Sequence, residues 1–186
     1  MLGQDFRRVV SDQELNTRTL EHSVQMMSVV LQDCWAQFVR GLIVSSASGR
    51  AVSSNGSSIV GSHTLGNVIK VEQWLVLNRP QNRDVDWHVT AISLHWATRL
   101  KIPNKSDVAS ALGSTNSPES ELRAYRNFIV HRCKDTALRA QQNVSLSSYG
   151  HSNLQEVPML HVTGGARVFE DWLRRFQLVA TVASKT

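Results

Sequence analysis

Cysteine is scarce in this chain of 186 residues, and the two that occur, Cys34 and Cys133, share no Cys-x-x-Cys spacing. That argues against a disulfide framework and a cysteine-based zinc site, and makes a reducing cytoplasm the expected compartment. Long apolar runs are missing too: none approaches the roughly 18–20 residues that a membrane span needs. The opening Met1-Leu2-Gly3-Gln4-Asp5-Phe6-Arg7-Arg8 carries no apolar stretch of the secretory kind. Gly-x-Ser-x-Gly, P-loop and dinucleotide glycine patterns are all absent. His131, His151 and His161 lack metal-ligand spacing with any carboxylate, so neither metal nor cofactor is expected.

What is present suits a globular fold. The chain is 41% hydrophobic and 19% charged, enough apolar content for a core and too much for a disordered tail. Its length suits one domain over 1–186, because domains usually run about 100–200 residues. Twenty Lys+Arg against fifteen Asp+Glu leave a net charge of +5, and Arg outnumbers Lys fifteen to five. Guanidinium is the better fork for phosphate or carboxylate, so an anionic partner and a merely basic surface both fit this balance.

The strongest periodicity is Leu20, Val24, Met27, Leu31, Cys34, Phe38 and Leu42, which advances by three or four and predicts one helix to about Val44. Ser11 and Glu14, at capping-box spacing with Asp12 between them, are its expected start. Residues 45–62 hold eight serines and three glycines and read as a loop, either solvated or substrate-contacting. Leu65–Leu77 reads as a helix despite β-branched content. Asp86 is the expected cap of a helix through Leu100, and Asp107–Leu112 a short helix closed by Gly113. Ser117-Pro118-Glu119 is a helix start, with serine at the cap and proline behind it, predicted to run to about Gln142. Residues 144–160 are polar and irregular. Thr163-Gly164-Gly165 precedes a final amphipathic helix through Val168, Trp172, Leu173, Phe176 and Val179. Five or six helices with little or no sheet and no internal repeat describe an all-α bundle.

The helix opened by Ser117 carries the candidate chemistry. At about 100° per residue, Leu122, Tyr125, Ile129 and Cys133 share the expected core face, while Asn127 and His131 stack along the opposite line. Phe128 and Val130 frame that polar pair, a pattern of interfaces and clefts rather than open surface. Arg126 lies well over 100° around the helix from His131. Within one straight helix the two side chains do not converge easily; two copies of the helix facing each other across a two-fold axis could bring them together. Arg123, Arg132 and Lys134 surround the motif, as RNA-phosphate contacts or as solvated charge. Trp87-His88 and His95-Trp96 are expected on one helix, in packing rather than base stacking.

Arg126-Asn127-Phe128-Ile129-Val130-His131 resembles the R-x(4–6)-H motif of the HEPN superfamily, with a polar residue directly after the arginine. The long first helix, the motif helix and the terminal helix are similar to the HEPN bundle in order and spacing. The resemblance implies a four- to six-helix up-and-down bundle that forms a homodimer with paired motifs at the interface. It further implies a metal-independent endoribonuclease in a toxin–antitoxin or antiphage defence setting, acting on RNA and controlled by an antitoxin or sensor protein. His131 would then move the proton, Arg126 would stabilise charge on the phosphate and Asn127 would hold His131 or a phosphate oxygen in position. Attack by a ribose 2′-hydroxyl would leave a 2′,3′-cyclic phosphate and would spare DNA. Some HEPN toxins place a modifiable tyrosine two residues after the motif histidine; Cys133 stands there, so that regulation is not expected. Non-catalytic HEPN modules for dimerisation or ligand binding are the alternative, and a helical adaptor with a coincidental motif is a third.

Overall fold

The structure is a computed structural model describing residues 1–12, 17–52, 56–59, 61, 65–79, 84–114, 117–143, 154–162 and 165–184. Among the described residues the chain is all-α: α1 (Leu2–Ser11), α2 (Thr17–Ser48), α3 (Val68–Asn78), α4 (Thr90–Arg99), α5 (Lys105–Leu112), α6 (Glu119–His131), α7 (Lys134–Asn143), a 3₁₀ helix (Leu154–Met159) and α8 (Val168–Ala183). No strand occurs among them, only isolated antiparallel bridges joining Val52 to Ser58 and His161 to Arg167. No helix among them is long and apolar enough to cross a membrane.

The helices outnumber the expected four to six for two reasons. The first is α1, which ends at the residue expected to begin the next helix: Ser11 Oγ donates back to the Arg8 carbonyl at 3.1 Å. Glu14, its expected capping partner, lies outside the described residues. The second is a break in the expected Ser117–Gln142 helix after His131, which separates α6 from α7.

Helix α2 keeps its predicted periodicity but not its predicted face. Its buried line is Val24, Ser28, Leu31, Trp35, Val39 and Ile43, while Cys34 is exposed and Phe38 and Leu42 are half-buried. The buried line takes Ser28 in place of Met27, and after Leu31 it follows a second apolar set one residue further along the chain than the expected one. α2 also continues through residues 45–48, the start of the expected loop, with Ser46 and Ser48 buried. There Ser48 Oγ donates to the Ser45 carbonyl at 3.0 Å, so a serine run is accommodated within helix.

Three expected caps are realised differently. Asp86 uses its backbone carbonyl, which accepts from Val89 N–H at 2.9 Å, and Val89 holds the cap position of α4. Pro118, not Ser117, precedes α6, and Ser117 Oγ is buried with no partner among the described residues. Gly113 closes α5 with φ −80°, so glycine is needed there for space: a Cβ would lie 2.8 Å from the Ala109 carbonyl oxygen. A side-chain cap that was not anticipated forms at α3, Asn67 Oδ1 accepting from Lys70 N–H at 2.8 Å.

The chain divides into two compact units. The first comprises Met1–Cys34 with Pro118–Phe176. Its core holds Phe6, Val24, Leu31, Leu122, Tyr125, Phe169 and Trp172, with Phe6 stacked on Phe169 at 4.5 Å and Tyr125 tilted against Trp172 at 5.6 Å. The second comprises Trp35–Ser117 with Gln177–Thr186. There Trp74 meets Trp96 edge-on at 6.1 Å, and the Arg99 guanidinium lies 5.4 and 5.2 Å from the two rings. Trp96 and Trp87 are buried in packing as expected, although Trp87 and His88 precede α4 rather than sharing it.

Candidate site on the motif helix

Helix α6 forms for reasons readable in its residues. Glu119 and Glu121 occupy the first turn, where the helix dipole favours negative charge, and Arg123 Nε sits 3.3 Å from Glu119 Oε1 one turn on. Leu122 and Tyr125 are fully buried on the predicted core face, and Ile129 is half-buried. Two contacts tether this face to α8: Glu121 accepts from Trp172 Nε1 at 3.0 Å and from Arg175 at 2.7 Å.

The helix stops at His131 because Arg132 adopts a left-handed conformation, φ 45°, while its N–H still bonds the Phe128 carbonyl at 2.8 Å. A non-glycine residue in that region costs about 1–2 kcal/mol. Arg132 offsets part of the cost with its side chain, Nη2 donating to buried Gln25 Oε1 and Nε to the Ile129 carbonyl, each at 3.3 Å. Cys133, expected on the core face, is exposed at this corner. Thr136 then stabilises the start of α7, its hydroxyl accepting from Cys133 N–H and donating to the Cys133 carbonyl. The same hydroxyl, 3.4 Å from Cys133 Sγ, draws that thiol below its ordinary value.

Burial pushes the Tyr125 phenol far above its ordinary value; Glu21 adds to the rise and Arg132 partly opposes it. Its hydroxyl donates to the Gln155 carbonyl at 3.1 Å. The folded state therefore holds a proton that the unfolded chain releases above about pH 10. This contribution to stability is complete below that pH and is lost as pH rises beyond it. Urea midpoints measured from pH 8 to 11 are expected to fall more steeply for wild type than for Tyr125→Phe. At neutral pH that variant is expected to cost about 0.5–1.5 kcal/mol.

The six residues singled out from the sequence lie in the first unit but do not form one cluster. His131 is exposed as the last residue of α6, and Arg126 and Asn127 are half-buried, with Arg126 Nη1 3.5 Å from Asn127 Oδ1. Arg123 and Asn127 line a polar groove of about 290 Å³ along α6 and α7. Arg132 instead lines a cavity of about 500 Å³ with Arg18, Glu21, His22 and Gln25 of α2. Lys134 is exposed at the first turn of α7. Arg18, His22 and Arg139 join these surfaces through the fold, and no sequence spacing marks them. Gly165, at φ 85°, serves a tight turn between bridged His161 and Arg167 rather than the start of α8. No group of three or more His, Cys, Asp or Glu among the described residues is placed to hold a metal ion.

No protein-family model, no curated protein and no solved structure matches the chain.

Proposed function

We propose that the chain is a HEPN-type, metal-independent endoribonuclease whose site is completed in a homodimer. The observation that carries this reading is the state of Arg126. Among the described residues its guanidinium has no carboxylate partner, whereas Arg40 is paired with Glu72, Arg123 with Glu119 and Arg175 with Glu121. An unpaired, half-buried cation five residues from an exposed histidine is available to a phosphate. His131 supplies the imidazole for general acid–base work. The His131 imidazole takes the proton from the 2′-hydroxyl, whose oxygen attacks the adjacent phosphorus, and the imidazolium returns that proton to the 5′-oxygen as the bond from phosphorus to that oxygen breaks. Asn127 steadies Arg126. A cytoplasmic defence or toxin role, held in check by an antitoxin or sensor, completes the proposal.

A second reading, a non-catalytic HEPN dimerisation or ligand-binding module, draws on a different observation. Among the described residues His131 has no hydrogen-bond partner to fix its tautomer. The two readings part in one experiment: purified protein with mixed cellular RNA in EDTA. Cleavage that leaves 2′,3′-cyclic phosphate ends, with DNA of the same sequence intact, is the expected result. Intact RNA at every protein concentration would move the assignment to the binding module.

A further inference from the structure

We infer that the groove between α6 and α7 is a backbone track for single-stranded RNA, with Arg139 as its principal phosphate contact. The break at Arg132 creates this groove. Arg123 and Asn127 from α6 meet Thr136, Arg139 and Asn143 from α7 around a space of about 290 Å³. A straight helix to Gln142 would have carried Arg139 away from Asn127 instead of alongside it.

Charge and hydrogen bonding in the groove favour an anion. Among the described residues no carboxylate lines it. Arg139 is exposed, and among the described residues its guanidinium has no ion-pair partner. Arg123 is ion-paired with Glu119, its Nε 3.3 Å from Oε1, and that contact is not a hydrogen bond. Asn143 Nδ2 donates to the Arg139 carbonyl at 2.8 Å and so braces the turn that presents Arg139.

The form of the groove selects the part of the ligand that it reads. Among the described residues no aromatic side chain lines it, and none there offers a platform on which a base can stack. Its volume lies just below the roughly 300–1,000 Å³ range of small-molecule pockets, which suits one backbone unit better than a whole cofactor. Asn127 connects it to the motif, lining the groove while its Oδ1 sits 3.5 Å from Arg126. A strand held by Arg123 and Arg139 therefore runs directly toward Arg126. Contacts of this kind position a chain without reading its sequence.

The identity of the strand as RNA rests on the ribonuclease reading, and the test separates the two. Fluorescein-labelled single-stranded RNA of two unrelated sequences is titrated in EDTA with His131→Ala protein, which cannot cut it, at several salt concentrations. Adding Arg139→Ala is expected to weaken binding about 5–10-fold for both sequences. The slope of log affinity against log salt is expected to fall by about 0.7, the loss of one single-strand phosphate contact. Arg174→Ala, which removes an exposed cation paired with Asp171, serves as the control and leaves both quantities unchanged. An unaltered melting temperature is expected for Arg139→Ala, because that side chain is exposed. Parental affinity and slope in Arg139→Ala would overturn the inference and leave the ribonuclease reading standing. Failure of the parental protein to bind any RNA, with Arg139-dependent binding of oligoglutamate instead, would overturn both.

Discussion

Equimolar His131→Ala and Arg126→Ala proteins, each inactive alone, are expected to recover about a quarter of wild-type RNA cleavage when co-expressed. The expectation follows from the geometry of α6. Five residues at about 100° each leave Arg126 and His131 about 140° apart, with about 7.5 Å of axial rise between them. Side chains so placed on one regular helix diverge. In the proposed dimer, Arg126 of one protomer would face His131 of its partner across a two-fold axis, and each dimer would hold two such pairs. In a mixed dimer one pair loses both groups and the other keeps both. Random assortment makes half the dimers mixed, each with one of two sites intact, hence about one quarter. Each single variant should lose about 10²–10⁴-fold, the usual contribution of a positioned proton carrier. His131 is exposed and His131→Ala should leave stability within about 0.5 kcal/mol. No recovery in the mixed dimers would refute pairing across the axis, and a large stability loss in His131→Ala would make that residue structural.

The placement of these side chains was readable from α6 alone. A stripe of Leu122 and Tyr125 fixes the buried side, and the helical period then sends Asn127 and His131 away from it. The end of the helix was not readable, because Arg132-Cys133-Lys134 contains neither glycine nor proline. What stops the helix is tertiary: Arg132 reaches Gln25, a partner 107 residues away in sequence. The surfaces that depend on that break were hidden with it, including Arg139 beside Asn127 and Arg18 and His22 beside Arg132. In α2 the difficulty was a choice between parallel signals. Cys34, Phe38 and Leu42 run next to Trp35, Val39 and Ile43 at the same spacing, and only packing shows that the second set is buried. At Ser11 the residue type was read correctly as a helix boundary, but local chemistry does not say which of two helices it bounds.

Trp172→Ala is expected to lower the unfolding free energy by about 3–5 kcal/mol, the usual range for removing a buried aromatic. A single domain has only about 5–15 kcal/mol in total, so much of the protein would unfold at physiological temperature. The side chain is fully buried, its ring tilts against Tyr125, and its indole N–H bonds Glu121. All these contacts fall on α6 between Glu119 and Tyr125, before the motif begins. Loss of the ring opens a cavity under the motif helix, and loss of the N–H leaves Glu121 to Arg175 alone. Trp172→Phe keeps most of the buried surface and removes the bond to a charged acceptor, for an expected cost of about 1.5–3 kcal/mol. Urea unfolding followed by circular dichroism checks the order wild type, Trp172→Phe, Trp172→Ala. Paired with cleavage, the series separates the anchor of α6 from its chemistry. Activity in Trp172→Phe should track the folded fraction, whereas His131→Ala should stay folded and fail to cut. A Trp172→Phe protein fully folded yet inactive would instead place the indole N–H in the reaction's own hydrogen-bond network through Glu121.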